Sequence, residues 1–511
     1  MERTLRLILG DQLNINHSWY NEVNPNTTYC MFEMRQETDY TTHHIQKVIG
    51  FFAAMRDFKD QLTALGHRVV YYEISDPENT QHLDKNLDTL IGINAIEIFE
   101  YQLPDEYRLD EQLKRYCQSL SIANNTYDTE HFYTKRNELS QFFKGKKQYL
   151  MESFYRYMRK KHQILVINDQ PLGGQWNYDK NNRKKWDEKT MPPPFKWYEN
   201  PVSELYDTIT KSSIKTIGHA NKDTFHYPIN RQQALEQVDY FIEYLLVHFG
   251  DFQDAMHTNE VYLFHSRISF ALNIKLIHPQ EVIDKAITFY QDNIDTISLS
   301  QIEGFIRQII GWREYMRGMY WMLMPDFKTK NHLNNANPLP DFYWSAETKM
   351  NCLKHSIKNS LDNAYAHHIQ RLMITGNYAL LTQTNPDDVD QWYLGIYADA
   401  VEWVQITNTR GMSQFADGGM IATKPYISSA NYIDKMSNYC KSCSYNKKEK
   451  IGDNACPFNA LYWNFLDDKR ALLSTNHRMR MMYSLLNKIP REELISIKER
   501  ANHIIKNPNA Y

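Results

Sequence analysis

Apolar and polar positions follow two different rhythms along the chain, and the change between them divides it. The opening Leu5-Arg6-Leu7-Ile8-Leu9 reads as a buried strand stopped by Gly10-Asp11, a strand-to-loop switch where α/β proteins tend to place ligand sites. Further strands are expected at Tyr29 to Glu33, Arg68 to Glu73 and Ala95 to Tyr101, and Val48 to Leu65 has the spacing of an amphipathic helix. Strand and helix alternate to about residue 130, which predicts a Rossmann-like parallel sheet with helices on both faces over residues 1–133. Residues 134–222 are polar and irregular, with Gly173-Gly174, the charged run Asp179 to Lys185 and Pro192-Pro193-Pro194, and read as a long interdomain linker. From 223 to 511 the periodicity is helical with few strand candidates, so the second domain is expected to be all-α.

Composition supports a globular chain and narrows its setting. With 511 residues, 42% apolar and 23% charged, it can bury a full core in at least two domains. The run Arg3 to Gly10 is too short for a signal peptide, and no long uncharged stretch offers a membrane span, so a cytoplasmic protein with no membrane partner is expected. The net charge of −3 does not advertise nucleic-acid binding. Its distribution is uneven, however: residues 421–511 hold 15 Lys and Arg against 8 Asp and Glu. That basic fifth is either a local phosphate-binding patch or a solvated face.

The cysteines add chemistry. Cys30 and Cys117 stand alone in the α/β half and read as small buried residues. Cys440-Lys-Ser-Cys443, then Cys456-Pro457, with Cys352 far upstream, can place four thiolates around one centre. In a cytosolic protein this means metal rather than disulfides, and spacing alone leaves structural zinc and a 4Fe–4S cluster both open.

Three helical-half segments resemble photolyase and cryptochrome sequence. They are His265-Ser266-Arg267-Ile268-Ser269 with Leu276-Ile277-His278-Pro279, then Arg307-Gln308-Ile309-Ile310-Gly311-Trp312-Arg313-Glu314-Tyr315, then His367-His368-Ile369-Gln370-Arg371. Joined to Trp392-Tyr393, Lys424-Pro425-Tyr426 and the Cys440 to Trp463 block, they resemble the iron–sulfur bacterial cryptochrome and photolyase family, with its prokaryotic (6-4) photolyases, over nearly the whole chain. Departures exist: Phe270-Ala271 replaces the usual Pro-Tyr, and one residue is inserted before Trp312.

The resemblance implies an N-terminal antenna domain, an all-helical FAD-binding catalytic domain and a 4Fe–4S cluster on Cys352, Cys440, Cys443 and Cys456 rather than zinc. His265, Ser266, Arg267, Ile268 and Ser269 would cradle the FAD phosphates, joined by Gln308 and Arg313, with Arg371 and Asp399 at the flavin ring. His367 and His368 match the histidines that face the lesion in (6-4) photolyases, where an imidazole gives and recovers a proton. In the eukaryotic enzymes a further histidine follows the arginine. Leu372 stands there in this chain, and Tyr426 is a possible substitute in the proton relay.

Trp392, Tyr393 and Trp344 match or extend an electron-transfer path to the flavin. Glu303 is a candidate for reading the lesion's base edge, or else caps its own helix. Asp11, Gln12, Cys30 and Glu37 fall on strand ends where the group's antenna, 6,7-dimethyl-8-ribityllumazine, would sit. The implied function is light-driven repair of (6-4) photoproducts in UV-damaged DNA by a monomer. Two alternatives stay open: a blue-light photoreceptor without net repair, and a non-photochemical protein that binds nucleic acid and holds a metal on its four cysteines.

Overall fold

The computed structural model describes residues 2–511. Near the N-terminus five parallel strands form one sheet: β1 (Thr4–Leu7), β2 (Thr27–Phe32), β3 (Arg68–Tyr72), β4 (Ile98–Gln102) and β5 (Ala123–Tyr127), in the order β3-β2-β1-β4-β5. β1 lies at the centre, pairing Leu5 with Thr28 on one side and with Phe99 on the other. The order reverses at β1, so its carboxyl end opens a crevice beside β4.

Side chains alternate across the sheet, as the pleat requires. Tyr29 and Met31 enter the core shared with helix Ile45–Ala64, whereas Cys30 and Phe32 join a separate core under helices Leu83–Ile93 and Tyr107–Ser119. The first of these cores continues without a break into the helical half. Helix Ile45–Ala64 starts three residues before the expected position because the His44 imidazole accepts from Gln46 N–H at 3.0 Å and caps it. β5 had no apolar signal: its Ala-Asn-Asn-Thr-Tyr sequence is a polar edge, held by β4 and by Asn125 and Tyr127, which donate to Glu100 Oε1.

Residues 134–222 are not the irregular chain that their polarity suggested. They contain helices Glu138–Phe142, Met151–Lys161 and Ser203–Lys211. The second hides Phe154, Tyr155 and Met158 on one face of an otherwise charged segment, and packs on residues 307–313. The third packs on helix Ile45–Ala64, and Thr216–Ile217 pairs with His43–His44. The segment thus clamps both halves together.

Beyond Phe225 the described residues form helices and loops, with isolated β-bridges only. Four stretches among the described residues are π-helical: Phe241–Leu245, Arg307–Arg313, Gln370–Gly376 and Thr407–Ser413. Such widened turns recur at functional sites. Contacts between the halves span most of the sequence: the Lys47 ammonium donates to Leu394 O at 2.7 Å, and His44 Nε2 lies 2.8 Å from Leu361 O. No helix is long and apolar enough to cross a membrane among the described residues.

Candidate functional site

Three separated segments meet inside the helical half. The turn at His265–Ser269 leads into the short helix Ser269–Asn273, whose Ser269 hydroxyl donates to Asp399 Oδ2 at 2.7 Å. Asn273 holds the same residue by its backbone, Nδ2 to Asp399 O at 2.7 Å. Asp399 in turn pairs with Arg371 at 3.0 Å. The Arg371 guanidinium lies 3.8 Å from the Tyr397 ring centre and donates through Nε to Ala366 O at 2.6 Å. Burial works against its charge, and Asp399 and Tyr397 outweigh that and raise its pKa.

The histidine pair owes its placement to a break in the chain. Helix Asn351–Asn363 ends at Ala364, whose φ of 48° is left-handed, and regular helix resumes only at His368. His367 therefore precedes the helix, and its ring stacks on His265 with centroids 4.6 Å apart. Both His367 ring nitrogens and His265 Nε2 are buried without a partner, a condition that calls for a polar ligand or ordered water. Burial pushes the pKa of His265 down to about 4 and that of His367 well below its usual value.

His368 is exposed, yet burial among protein atoms followed by the Arg371 charge lowers its pKa to about 4. At neutral pH it is uncharged, not poised near 6.5 as its residue type suggested.

Other sequence-selected residues are placed differently. Arg267, at φ 55°, is buried in a cage of Phe195, Trp197, Tyr227, Tyr262 and Tyr365, with Nε and Nη1 unpartnered. Ile268 is core, and Ser266 offers its carbonyl to Gln237. Gln308 bonds within its own helix, to Gly304 O at 3.0 Å. Arg313 lies 3.1 Å from His131 Nε2 and donates to Leu272 O, so it braces the far end of helix Ser269–Asn273 at the junction of the halves.

Glu303 is fully buried, accepting from Tyr155 OH at 2.9 Å and Tyr178 N–H at 3.1 Å, and ties down residues 134–222 rather than facing the histidines. Tyr426 is half-buried, within electrostatic reach of Arg183, Asp179 and Arg478.

From Arg371 a file of rings leads outward. Tyr397, beneath the guanidinium, is 5.9 Å from Trp392 and 5.7 Å from Tyr393. Trp392 donates to Tyr343 O and stands 5.0 Å from that ring, and the next residue, Trp344, is 45% exposed. A sequence of buried rings thus joins the Arg371–Asp399 pair to the surface.

A cavity of about 150 Å³ opens where the order of the sheet reverses. Asp11 and Glu37 line it. Gln12 does not, because its amide is engaged with Leu9 N–H and Gln102 O, and Cys30 sits mid-strand beneath two helices. Sequence reasoning missed Lys47, Glu106 and the wall from Ala400 to Trp403. The one available signal was a lysine interrupting the apolar stripe of helix Ile45–Ala64.

Cys352, Cys440, Cys443 and Cys456 all border a second, small cavity with Tyr439 and Phe458, and all four are free. Among the described residues no group of three or more His, Cys, Asp or Glu is placed to hold a metal ion. A lone tetrahedral zinc would draw its thiolates in to about 2.3 Å from one point.

Over 491 residues the chain is 41% identical to a (6-4) photolyase of Agrobacterium fabrum (strain C58), covering 94% of each. The chain belongs to the photolyase family. Residues 6–225 match the family described as "Deoxyribodipyrimidine photo-lyase-related protein". Two solved structures share this fold. A bacterial class III photolyase from Agrobacterium tumefaciens aligns with a TM-score of 0.57 at 13% identity, over 96% of this chain and 98% of its own. A Synechocystis sp. PCC6803 cryptochrome aligns with a TM-score of 0.57 at 10% identity, over 82% of each chain. The photolyase fold accounts for a parallel α/β domain followed by a helical one, and the convergent residues lie in the helical one.

Proposed function

We propose that the chain is a light-driven DNA repair enzyme acting on (6-4) pyrimidine photoproducts in UV-damaged DNA, as a cytoplasmic monomer. The observation that carries this is near full-length likeness to a (6-4) photolyase, in a chain whose two adjacent histidines stand beside the Arg371–Asp399 pair. FAD fits the converging segments, since buried nitrogens of His265, His367 and Arg267 lack partners there. Ser266 to Ser269 would face its phosphates, and Arg371 and Asp399 its ring system. Bound there, FAD supplies light absorption and the electron that splitting the photoproduct requires.

The chain's own residues supply the rest. Arg371, kept charged by Asp399, favours negative charge on the ring system beside it. His368 is exposed beside Arg371, where a flipped-out dinucleotide would reach it, at a cost of about a few kcal/mol. Its low intrinsic pKa makes it a proton donor only once anionic phosphates or a reduced cofactor raise it, which ties proton delivery to a loaded site. The four cysteines would hold a 4Fe–4S cluster, and the cavity at the sheet's reversal an antenna of the 6,7-dimethyl-8-ribityllumazine type.

The test is repair under light. Protein purified under low oxygen is illuminated with reductant and DNA bearing one (6-4) photoproduct, and restored thymines are counted. Flavin absorption with repair that disappears in His368→Ala is expected. Flavin absorption without repair would favour the second reading, a photoreceptor, for which the ring file from Tyr397 to Trp344 supplies a photoreduction path.

A further inference from the structure

The interdomain cavity has an unusual distribution of charge. Its walls are largely apolar, with Phe32, Met34, Phe52, Met55 and Trp403 offering surfaces for a flat ring system. His43, 4% exposed, borders it with Nδ1 unpartnered, a buried polar atom waiting for a ligand. Around these stand five carboxylates: Asp11, Glu37, Asp105, Glu106 and Glu402. Lys47 is the one lysine or arginine on the wall among the described residues, and it gives one of its three N–H donors to Leu394 O.

The cations behind the wall are shared out. A single guanidinium, Arg108, serves both Glu37 and Glu106. Lys275 serves both Asp11 and Asp105, and Asp105 also pairs with Arg317 at 3.4 Å. Glu402 accepts from Tyr320 OH at 2.6 Å and pairs with Lys328. Burial, with Glu37 and Glu402 nearby, pushes Glu106 up to about 7 against the pull of Arg108.

We propose that this cavity selects by charge, taking an uncharged, polyhydroxylated heteroaromatic chromophore and rejecting phosphorylated or carboxylate-bearing ones, with Glu37, Glu106 and Glu402 as the discriminating groups. The proposal rests on the antenna reading of the cavity and says which antennas can enter. Hydroxyl and N–H donors on a ligand meet carboxylate lone pairs that the wall leaves free. A phosphate offers acceptors only, and adds like charge in a partly desolvated space where repulsion is several times stronger than in water.

Riboflavin and FMN form a matched pair, identical except for the phosphate. The FAD-containing protein is incubated with 6,7-dimethyl-8-ribityllumazine, riboflavin or FMN over a concentration series and gel-filtered, and the retained chromophore is extracted and resolved by chromatography. The lumazine and riboflavin are expected to be retained, with FMN at least about tenfold weaker than riboflavin. Glu106→Gln and Glu402→Gln, each checked for folding by circular dichroism, should narrow that ratio by tightening FMN. Equal retention of riboflavin and FMN by the unaltered protein, or an unchanged ratio in both variants, overturns the charge filter while leaving the antenna reading standing. Retention of none of the three overturns the antenna reading and the filter with it.

Discussion

At the scale of single residues, the Arg371–Asp399 pair is the feature whose removal should be most informative. Asp399→Asn leaves a largely buried guanidinium without its counter-charge and loosens Ser269, which donates to the same carboxylate. The expected cost is about 3 kcal/mol of stability by urea denaturation, with flavin lost on desalting. Histidines set a pH limit. His44, His265 and His368 each have a pKa lowered to about 4, with burial as the first cause. Between pH 6.5 and about 4 the unfolded chain binds more protons at these sites than the native one, so stability is full above 6.5 and falls as pH drops. For His44, which is fully buried, a fall from 6.5 to about 4 corresponds to about 3 kcal/mol. Thermal melts should therefore shift downward steadily from pH 6.5 to 4.5, and His44→Gln should flatten that slope.

At the scale of elements, helix Pro386–Ile396 does two jobs: it carries Trp392 and Tyr393, and it lies against the α/β domain at Gly395. A Cβ on Gly395 would come within 2.2 Å of the Thr42 carbonyl oxygen, which is backbone and cannot swing away. Gly395→Ala is expected to cost about 2 kcal/mol in denaturant midpoints. Trp392→Phe should leave folding intact and slow flavin photoreduction at least about tenfold, followed by absorbance under blue light.

Which elements could be read beforehand follows from their packing. β1 to β4 and helix Ile45–Ala64 bury a face, so their apolar spacing announced them. β5 and the three helices within residues 134–222 bury little or are masked by charged neighbours, and their sequence did not. Among site residues, the motif turn, Arg371 and Asp399 come together in space. Glu303, Gln308 and Arg313 belong to the same helical stretch, yet their side chains point to other partners, because helical phase and a π-turn decide direction and a motif does not.

For the whole molecule, the basic C-terminal fifth offsets an otherwise acidic chain. Binding to lesion-bearing DNA should weaken about hundredfold between 50 and 200 mM salt if about four phosphates are neutralised, as read by fluorescence anisotropy. A salt-independent affinity would mean that this face is merely solvated.

The bond from Lys47 to Leu394 has a consequence for how such a chain is made. Its partners are 347 residues apart. At about 5–20 residues per second, a ribosome needs about 17–70 s to deliver the second after the first. During that interval the inner face of helix Ile45–Ala64, which native packing continues into the helical core, lacks the partners that come from the later helices. The nascent sheet must wait with an open flank, and guarding it falls to residues 134–222, which emerge first and already hold that helix through Ser203–Lys211.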